Sequence, residues 1–226
     1  ERAIRAMISE VREFPPDRVV IRRGHDIGEA LLLLDGWAAR TKDLRDGGRQ
    51  ISELAFAGDF TDLHGLTLKR LDHNIATITP CRFAIAPHDR VQATLERHPH
   101  LARLYWMMTN IDGAIHREWT VSLGRRTALS RMAHLFCEIL ERLKVVGLAD
   151  NDCYEFPLTQ QQFGECLGLT AVHLVPAVGW RAIHGRATGQ WLDWRATLSD
   201  FYAAQAIGGV TPANVGDHLH RAALLR

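Results

Sequence analysis

The sequence predicts an α+β fold: an antiparallel β-roll (jelly roll) first, then a long helix, then a helix-turn-helix. Three observations predict it. Short apolar runs separated by turn residues fill about 14–87, an apolar seam at 3,4,3,4 spacing begins near His98, and a capped, glycine-ended helix starts at Thr159. Period-2 runs closed by turn chemistry read as strands, and a 3.5-residue repeat reads as a packed helix.

The strands come in order. Val19-Val20-Ile21 is one run, and Ala30 to Leu34 a second, stopped by Asp35-Gly36. Trp37 to Thr41 continues until Asp46-Gly47-Gly48, a hairpin signal. Gln50 to Phe56 follows, then the turn Ala57-Gly58-Asp59, and Ile75 to Ile78 with Arg82 to Ala86 close the series. Several short strands at this spacing suggest an antiparallel sandwich or jelly roll.

Beyond His98 the period changes. Leu101, Leu104, Met108, Ile111 and Ile115 recur at 3 and 4, with Trp119 one turn later. Such a seam suits a helix paired with its symmetry mate, and it equally suits an amphipathic helix packed on its own domain. Gly113 permits close backbone approach, and Gly124 is expected to end the helix. A further helix is expected over 125–144, with Leu129, Met132, Leu135, Phe136, Ile139, Leu140 and Leu143 inside, then a loop over 145–157.

The next segment is the most informative. Thr159 is a good N-cap, and Gln162 three residues on can complete a capping box. Phe163 and Leu167 share a face, and Gly168 supplies the left-handed residue that ends the helix. Thr170 can cap a second helix after a turn too short for anything but a sharp crossing. That spacing suits a helix-turn-helix, whose second helix lies in a DNA major groove.

Composition narrows the setting. A chain of 226 residues suits one large domain or two small ones. A net charge of +1 gives no global footprint for nucleic acid, so any basic surface must be local. Cys81, Cys137, Cys153 and Cys166 form no C-x-x-C pair, which argues against a disulfide framework or zinc knuckle and for a reducing cytoplasm. No apolar run is long enough to cross a bilayer, and no leader pattern opens the chain, so no membrane partner is expected.

An enzyme is not expected either. There is no G-x-S-x-G, P-loop or H-E-x-x-H. His116 with Glu118 falls on the outer half of the long helix, where solvated charge is usual. Cys166, which could be paired with His173, more simply fills the core of the motif's first helix.

Four stretches in this order carry a resemblance. They are Leu31-Leu32-Leu33-Leu34-Asp35-Gly36-Trp37, Gly47-Gly48-Arg49-Gln50-Ile51, Ala57-Gly58-Asp59-Phe60-Thr61-Asp62-Leu63 and Phe156-Pro157-Leu158-Thr159-Gln160. With them the chain resembles, over nearly its whole length, the Crp/Fnr family of bacterial transcription regulators. The resemblance implies a β-roll sensor over 1–97, a dimerisation helix over 98–124 and a winged helix-turn-helix domain over 125–226. It implies a homodimer joined through Leu104, Met108, Ile111, Ile115 and Trp119, which binds double-stranded DNA at a palindromic operator, with RNA polymerase as a further partner.

Cyclic-nucleotide binders of that family use a phosphate cassette, roughly Gly-Glu, a short helix, then Arg-Ser/Thr-Ala. Here Gly58-Asp59 stands at its start, and Asp72-His73-Asn74 occupies the Arg-Ser-Ala position; these five are the candidate effector pocket. Asp72 would repel a phosphate that needs a guanidinium, and Lys69 or Arg70 could compensate only from a shifted position. Cyclic AMP is therefore disfavoured. An iron-sulfur cluster is also disfavoured, because no cysteine precedes Cys81. His64, His73 and Cys81, with Asp62 and Asp72, admit a metal or haem ligand set or mere polar cover of the roll; the second is preferred, no metal site is assigned, and the effector stays unknown.

In the DNA-binding half, Cys166 to Leu192 holds no Asp or Glu, yet carries His173, Arg181, His184 and Arg186. Absence of acid suits a phosphate-facing surface, though a solvated structural helix would look similar. Gly185 to Gln190 reads as the family's wing. The expected DNA contacts are Thr170, His173, Arg181 and Arg186, with Gln161 and Arg125 on phosphates. One departure stands out. Pro176 and Gly179 fall where the family's reading helix continues, at about 3 and 1 kcal/mol respectively if helical, and the base-reading arginine has no counterpart. Arg181 then takes over contacts from an altered geometry, or the protein is a ligand-sensing or protein-interaction dimer without specific DNA binding.

Overall fold

The computed structural model describes residues 2–150 and 153–169. They fall into two compact units, one holding 2–120 with 155–158, the other 121–150, 153–154 and 159–169.

The first unit contains α1 (Arg2–Met7), β1 (Glu10–Phe14), β2 (Val19–Ile21), β3 (Glu29–Asp35), β4 (Ala38–Asp43), β5 (Arg49–Ala55), α2 (Gly65–Leu68), β6 (Asn74–Thr77), β7 (Cys81–Pro87) and α3 (His88–Arg97). The strands form two antiparallel sheets, ordered β1-β7-β3 and β2-β6-β4-β5. Side chains from both sheets share one core: Leu31, Leu33, Cys81, Phe83 and Ile85 from the first meet Ala38 and Ala55 from the second. This is the expected jelly-roll sandwich, in which alternate residues of each strand face inward. Every strand expected from the pattern is present, with bounds shifted by one or two residues.

Four elements were not expected. β1 is mostly charged, and its Val11 is exposed, so no inward stripe announces it; pairing with β7 makes it a strand. The turn-long α2 and the six-residue α1 are too short to show a period. In α3, Val91 and Leu95 are the only clear apolar repeat, and they pack on a second core of Met7, Ala30, Phe60, Leu63, Ala86 and Tyr105.

The long helix α4 runs Pro99–Arg125, so Gly124 lies inside it rather than ending it. A glycine one residue from the end of a 27-residue helix costs only about 1 kcal/mol, which the remaining turns carry. In the second unit, α5 (Ala128–Val145) buries Met132, Leu135, Ile139 and Leu143 on one stripe, and Leu129, expected inside, is instead exposed. The last described helix, α6 (Gln160–Leu167), packs against α5, with Phe136 and Phe163 rings 5.2 Å apart. Among the described residues no helix is long and apolar enough to cross a membrane.

Candidate functional site

The most unusual chemistry of the roll lies where β4 and β5 face α4. Arg40 on β4 and Glu53 on β5 are directly opposite in the strand register, and both are almost fully buried. The guanidinium Nη1 donates to Glu53 Oε2 at 2.5 Å, and Nε donates to the Thr61 carbonyl at 2.9 Å. Nη2 donates to Asp112 Oδ2 on α4 at 3.1 Å. His116, one turn further along α4, holds Nδ1 3.2 Å from Glu53 Oε2. Burial works to lower the Arg40 pKa, but Glu53 and Asp112 outweigh it and hold the guanidinium charged.

A β-bulge builds this pair. From the hairpin turn, Asp43 faces Arg49, Lys42 faces Gln50 and Thr41 faces Ile51, after which the register slips by one so that Arg40 meets Glu53. An unbroken ladder would have set Ser52 opposite Arg40, and Glu53 would have pointed to the other face. His116 thus departs from the solvated position expected of it. A half-period on the outer face of a helix does not reveal a roll docked against that same face.

The segment corresponding to the phosphate cassette lies beside this network. Gly58 turns the chain with φ 100°, and Asp59 closes the turn by accepting from Phe56 N–H at 2.8 Å. Asp59 also contributes to keeping Arg40 charged. Asp72 accepts from Lys42 Nζ at 2.7 Å and lies 2.8 Å from His73 Nδ1; the lysine first and the histidine second hold its carboxyl well below the usual range. Asn74 accepts from Arg23 N–H at 2.9 Å and donates to Asp43 at 3.0 Å. The five candidate pocket residues thus fall in two groups, a turn after β5 and the lead into β6, and their polar atoms largely serve the chain itself.

Lys69 and Arg70 both bond within the chain. Arg70 is clasped by Asp26 at 2.6 and 3.3 Å, and Lys69 donates to the Leu66 carbonyl.

Two further groups are buried without full satisfaction. Asp62 accepts from Leu31 N–H at 2.8 Å through Oδ1, while Oδ2 has no partner. Burial pushes its carboxyl up to about 7, against the pull of the Leu31 amide and Arg40. The rings of His64 and His73 lie 5.2 Å apart, and His73 Nε2 is buried and unpartnered. Burial first, then Arg40 and His73, bring His64 down to about 4, and burial lowers His73 as well. Both imidazoles are therefore neutral at neutral pH. Cys81 stands apart from them: it sits in the sandwich core with Sγ 3.1 Å from the Trp37 carbonyl, and burial raises its thiol to about 11. Among the described residues no three His, Cys, Asp or Glu side chains come together in a metal-binding group.

Along α4, Leu104, Met108, Ile111 and Ile115 are half-buried, while Trp119 is buried within its own chain. Trp106, outside the expected seam, is 71% exposed.

α6, the first helix of the expected helix-turn-helix, begins as its local chemistry dictates. The Thr159 hydroxyl accepts from Gln162 N–H at 3.2 Å, and the Gln162 side chain accepts from Thr159 N–H at 2.9 Å, completing the capping box. Phe163, Cys166 and Leu167 are buried, and Gly168 ends α6 at φ 60°, ψ 37°. Leu169 N–H closes the turn onto the Gly164 carbonyl at 3.0 Å. Gln161 lies on the exposed side and donates to Glu165, and Arg125 is exposed at the end of α4. Thr170, His173, Arg181 and Arg186, with the expected wing, Pro176 and Gly179, lie outside the described residues.

Comparison with known proteins follows the same outline. A cyclic nucleotide-binding domain model matches residues 11–98. The transcriptional activator protein FnrL of Cereibacter sphaeroides is 27% identical over 174 residues, covering 75% of this chain and 69% of that protein. The nitrogen fixation regulation protein FixK of Bradyrhizobium diazoefficiens is 34% identical over 143 residues, covering 61% of this chain and 57% of that one. The solved structure of FixK2 from Bradyrhizobium japonicum superposes with a TM-score of 0.70 at 21% identity, covering 79% of this chain and 86% of that chain. At that identity the superposition speaks for the fold. The matched part thus spans 57–69% of the length of these two relatives.

Proposed function

We propose that this chain is a Crp/Fnr-type transcription regulator, a reading supported by its match to a cyclic nucleotide-binding domain and its likeness to FnrL and FixK, and that it acts in the cytoplasm as a homodimer that reads a palindromic operator and takes an effector in its roll. The observation that carries this reading is α6 itself. Its capping box and its left-handed Gly168 fix where the helix starts and where the chain turns, the two requirements for presenting a following helix to a major groove. Thr170, His173, Arg181 and Arg186 are the assigned DNA contacts, with Gln161 and Arg125 on phosphates and RNA polymerase as a further partner. The half-buried apolar stripe of Leu104, Met108, Ile111 and Ile115 supports pairing through α4, since it leaves apolar surface for a partner to cover.

Within this reading the effector is unknown, and a cyclic nucleotide is disfavoured. Arg40 and Arg70 are both engaged by carboxylates, and Asp72 brings negative charge to the position that the resemblance gives to a phosphate-binding arginine. The test is selection from random DNA duplexes with the full chain. Enrichment of a palindrome whose half-sites lie about one helical turn apart is the expected result, with affinity that falls steeply as salt rises. Enrichment of no sequence would replace this reading by that of a sensing or protein-binding dimer.

A further inference from the structure

Arg131 is placed oddly for a helix. It lies in the first turns of α5, whose N-cap is Thr127, and its own N–H donates to the Thr127 carbonyl at 2.9 Å. A cation near a helix N-terminus meets the positive end of the helix dipole, an arrangement that is unfavourable by a few tenths of a kcal/mol or more. The guanidinium turns away from that end. Its Nη1 donates to the Leu167 carbonyl at 2.9 Å, and its Nε donates to the Arg126 carbonyl at 3.1 Å.

Both acceptors are ends. Leu167 is the last residue of α6, so its carbonyl lacks an intrahelical partner and carries the negative end of that helix. Arg126 lies in the joint between α4 and the Thr127 cap. One rigid, half-buried fork therefore ties the turn of the helix-turn-helix to the joint that follows the long helix. The planar guanidinium presents its donors in fixed, diverging directions, whereas a lysine ammonium is a single point charge on a flexible stem.

We propose that Arg131 is a positioning residue for DNA reading: it braces the turn at Gly168 against the joint at Arg126 and so sets the direction in which the chain leaves α6. This rests on the DNA-binding reading above. Arg131 touches no nucleic acid in this assignment; it acts through the backbone of the turn. Movement at the joint and movement at the turn cannot then occur independently without breaking a charge-assisted bond.

The experiment compares the full-length wild type with Arg131→Met and Arg131→Lys. Two readouts are taken: amide hydrogen exchange at Gly168 and Leu169 without DNA, and affinity for the selected operator and for a random duplex at several salt concentrations. Arg131→Met should speed exchange at the turn by about tenfold or more while roll amides keep wild-type rates, and should weaken operator binding by about tenfold. Random-duplex affinity and the slope of log affinity against log salt should be unchanged, because no phosphate contact is lost. Arg131→Lys should fall between, since a flexible point charge replaces the two fixed nitrogens that make these bonds. Should the methionine variant not fold, the lysine variant decides by the same readouts, and wild-type behaviour in it overturns the proposal. Unchanged exchange at the turn overturns it too. So does a salt slope reduced by about one with parallel loss on both duplexes, which would make Arg131 a phosphate contact. If the wild type enriches no duplex, the DNA-binding reading falls alone, and the exchange comparison still decides the brace.

Discussion

The roll and the α5–α6 unit both bury polar groups, and they satisfy them over very different distances. In the roll, Arg40 reaches partners 13 and 72 residues away in sequence, on a neighbouring strand and on the long helix. In the start of the helix-turn-helix, Thr159 and Gln162 satisfy each other three residues apart. The first arrangement exists only once the sheet and α4 are assembled, so it reports on the whole roll. The second forms with a single turn of helix and reports on nothing further away. In the proposed function, a sensing roll gains from the first kind of bond, because a ligand or a proton that disturbs one member disturbs strands and helix together. In that same proposed function, a turn that presents a helix to DNA gains from the second, which keeps its geometry whatever happens elsewhere.

The largest expected effect follows from that contrast. Arg40→Met removes the guanidinium that pairs with the buried Glu53 carboxylate, and should destabilise the roll by about 3–5 kcal/mol in urea unfolding. A loss no greater than that of a helix cap would mean that water reaches Glu53 freely.

An intermediate effect concerns pH. Asp62 has a folded value near 7 against an ordinary 3.8, so its contribution to stability is full below about 3.8 and is lost as pH rises through 7. His64 has a folded value near 4 against 6.5, so its contribution is full above about 6.5 and is lost as pH falls through 4. His73 is lowered too and acts in the direction of His64. Between pH 4 and 6.5 the two slopes oppose each other in the same domain. Relative to wild type, Asp62→Asn should therefore make unfolding free energy rise more steeply with pH across that window, and His64→Gln should make it rise less steeply or fall. Parallel curves for a variant and the wild type would show that the replaced group does not titrate there.

The smallest effect belongs to the local bond. Thr159→Ala should cost about 1 kcal/mol of stability in the second unit and leave the unfolding of the roll unchanged. A shift in both transitions would show that the cap is not as local as its geometry.

How far these features could be read beforehand follows the same division by range. The capping box, the left-handed Gly168 and the buried face of Phe163 and Leu167 were all legible, since each depends on residues within one or two turns. So were the strands, whose alternation survives without knowledge of their neighbours. The Arg40 network was not. A hairpin turn at Gly47 invites counting outward along both strands, and that count pairs Arg40 with Ser52. The bulge moves Glu53 into that place. His116 was misplaced for a related reason: helical period tells which residues share a face, not what docks against it.

The amino-acid order by itself determined the β-roll, the long helix and the capped α6, because turn residues, period and caps act through neighbours in the chain. Only the tertiary structure decided that Arg40, Glu53, Asp112 and His116 meet, and that the Arg131 fork holds the turn. Those contacts depend on a one-residue slip in a ladder and on packing between helices far apart in sequence. Such choices are made by sterics and burial across the assembled fold, and no local pattern encodes them.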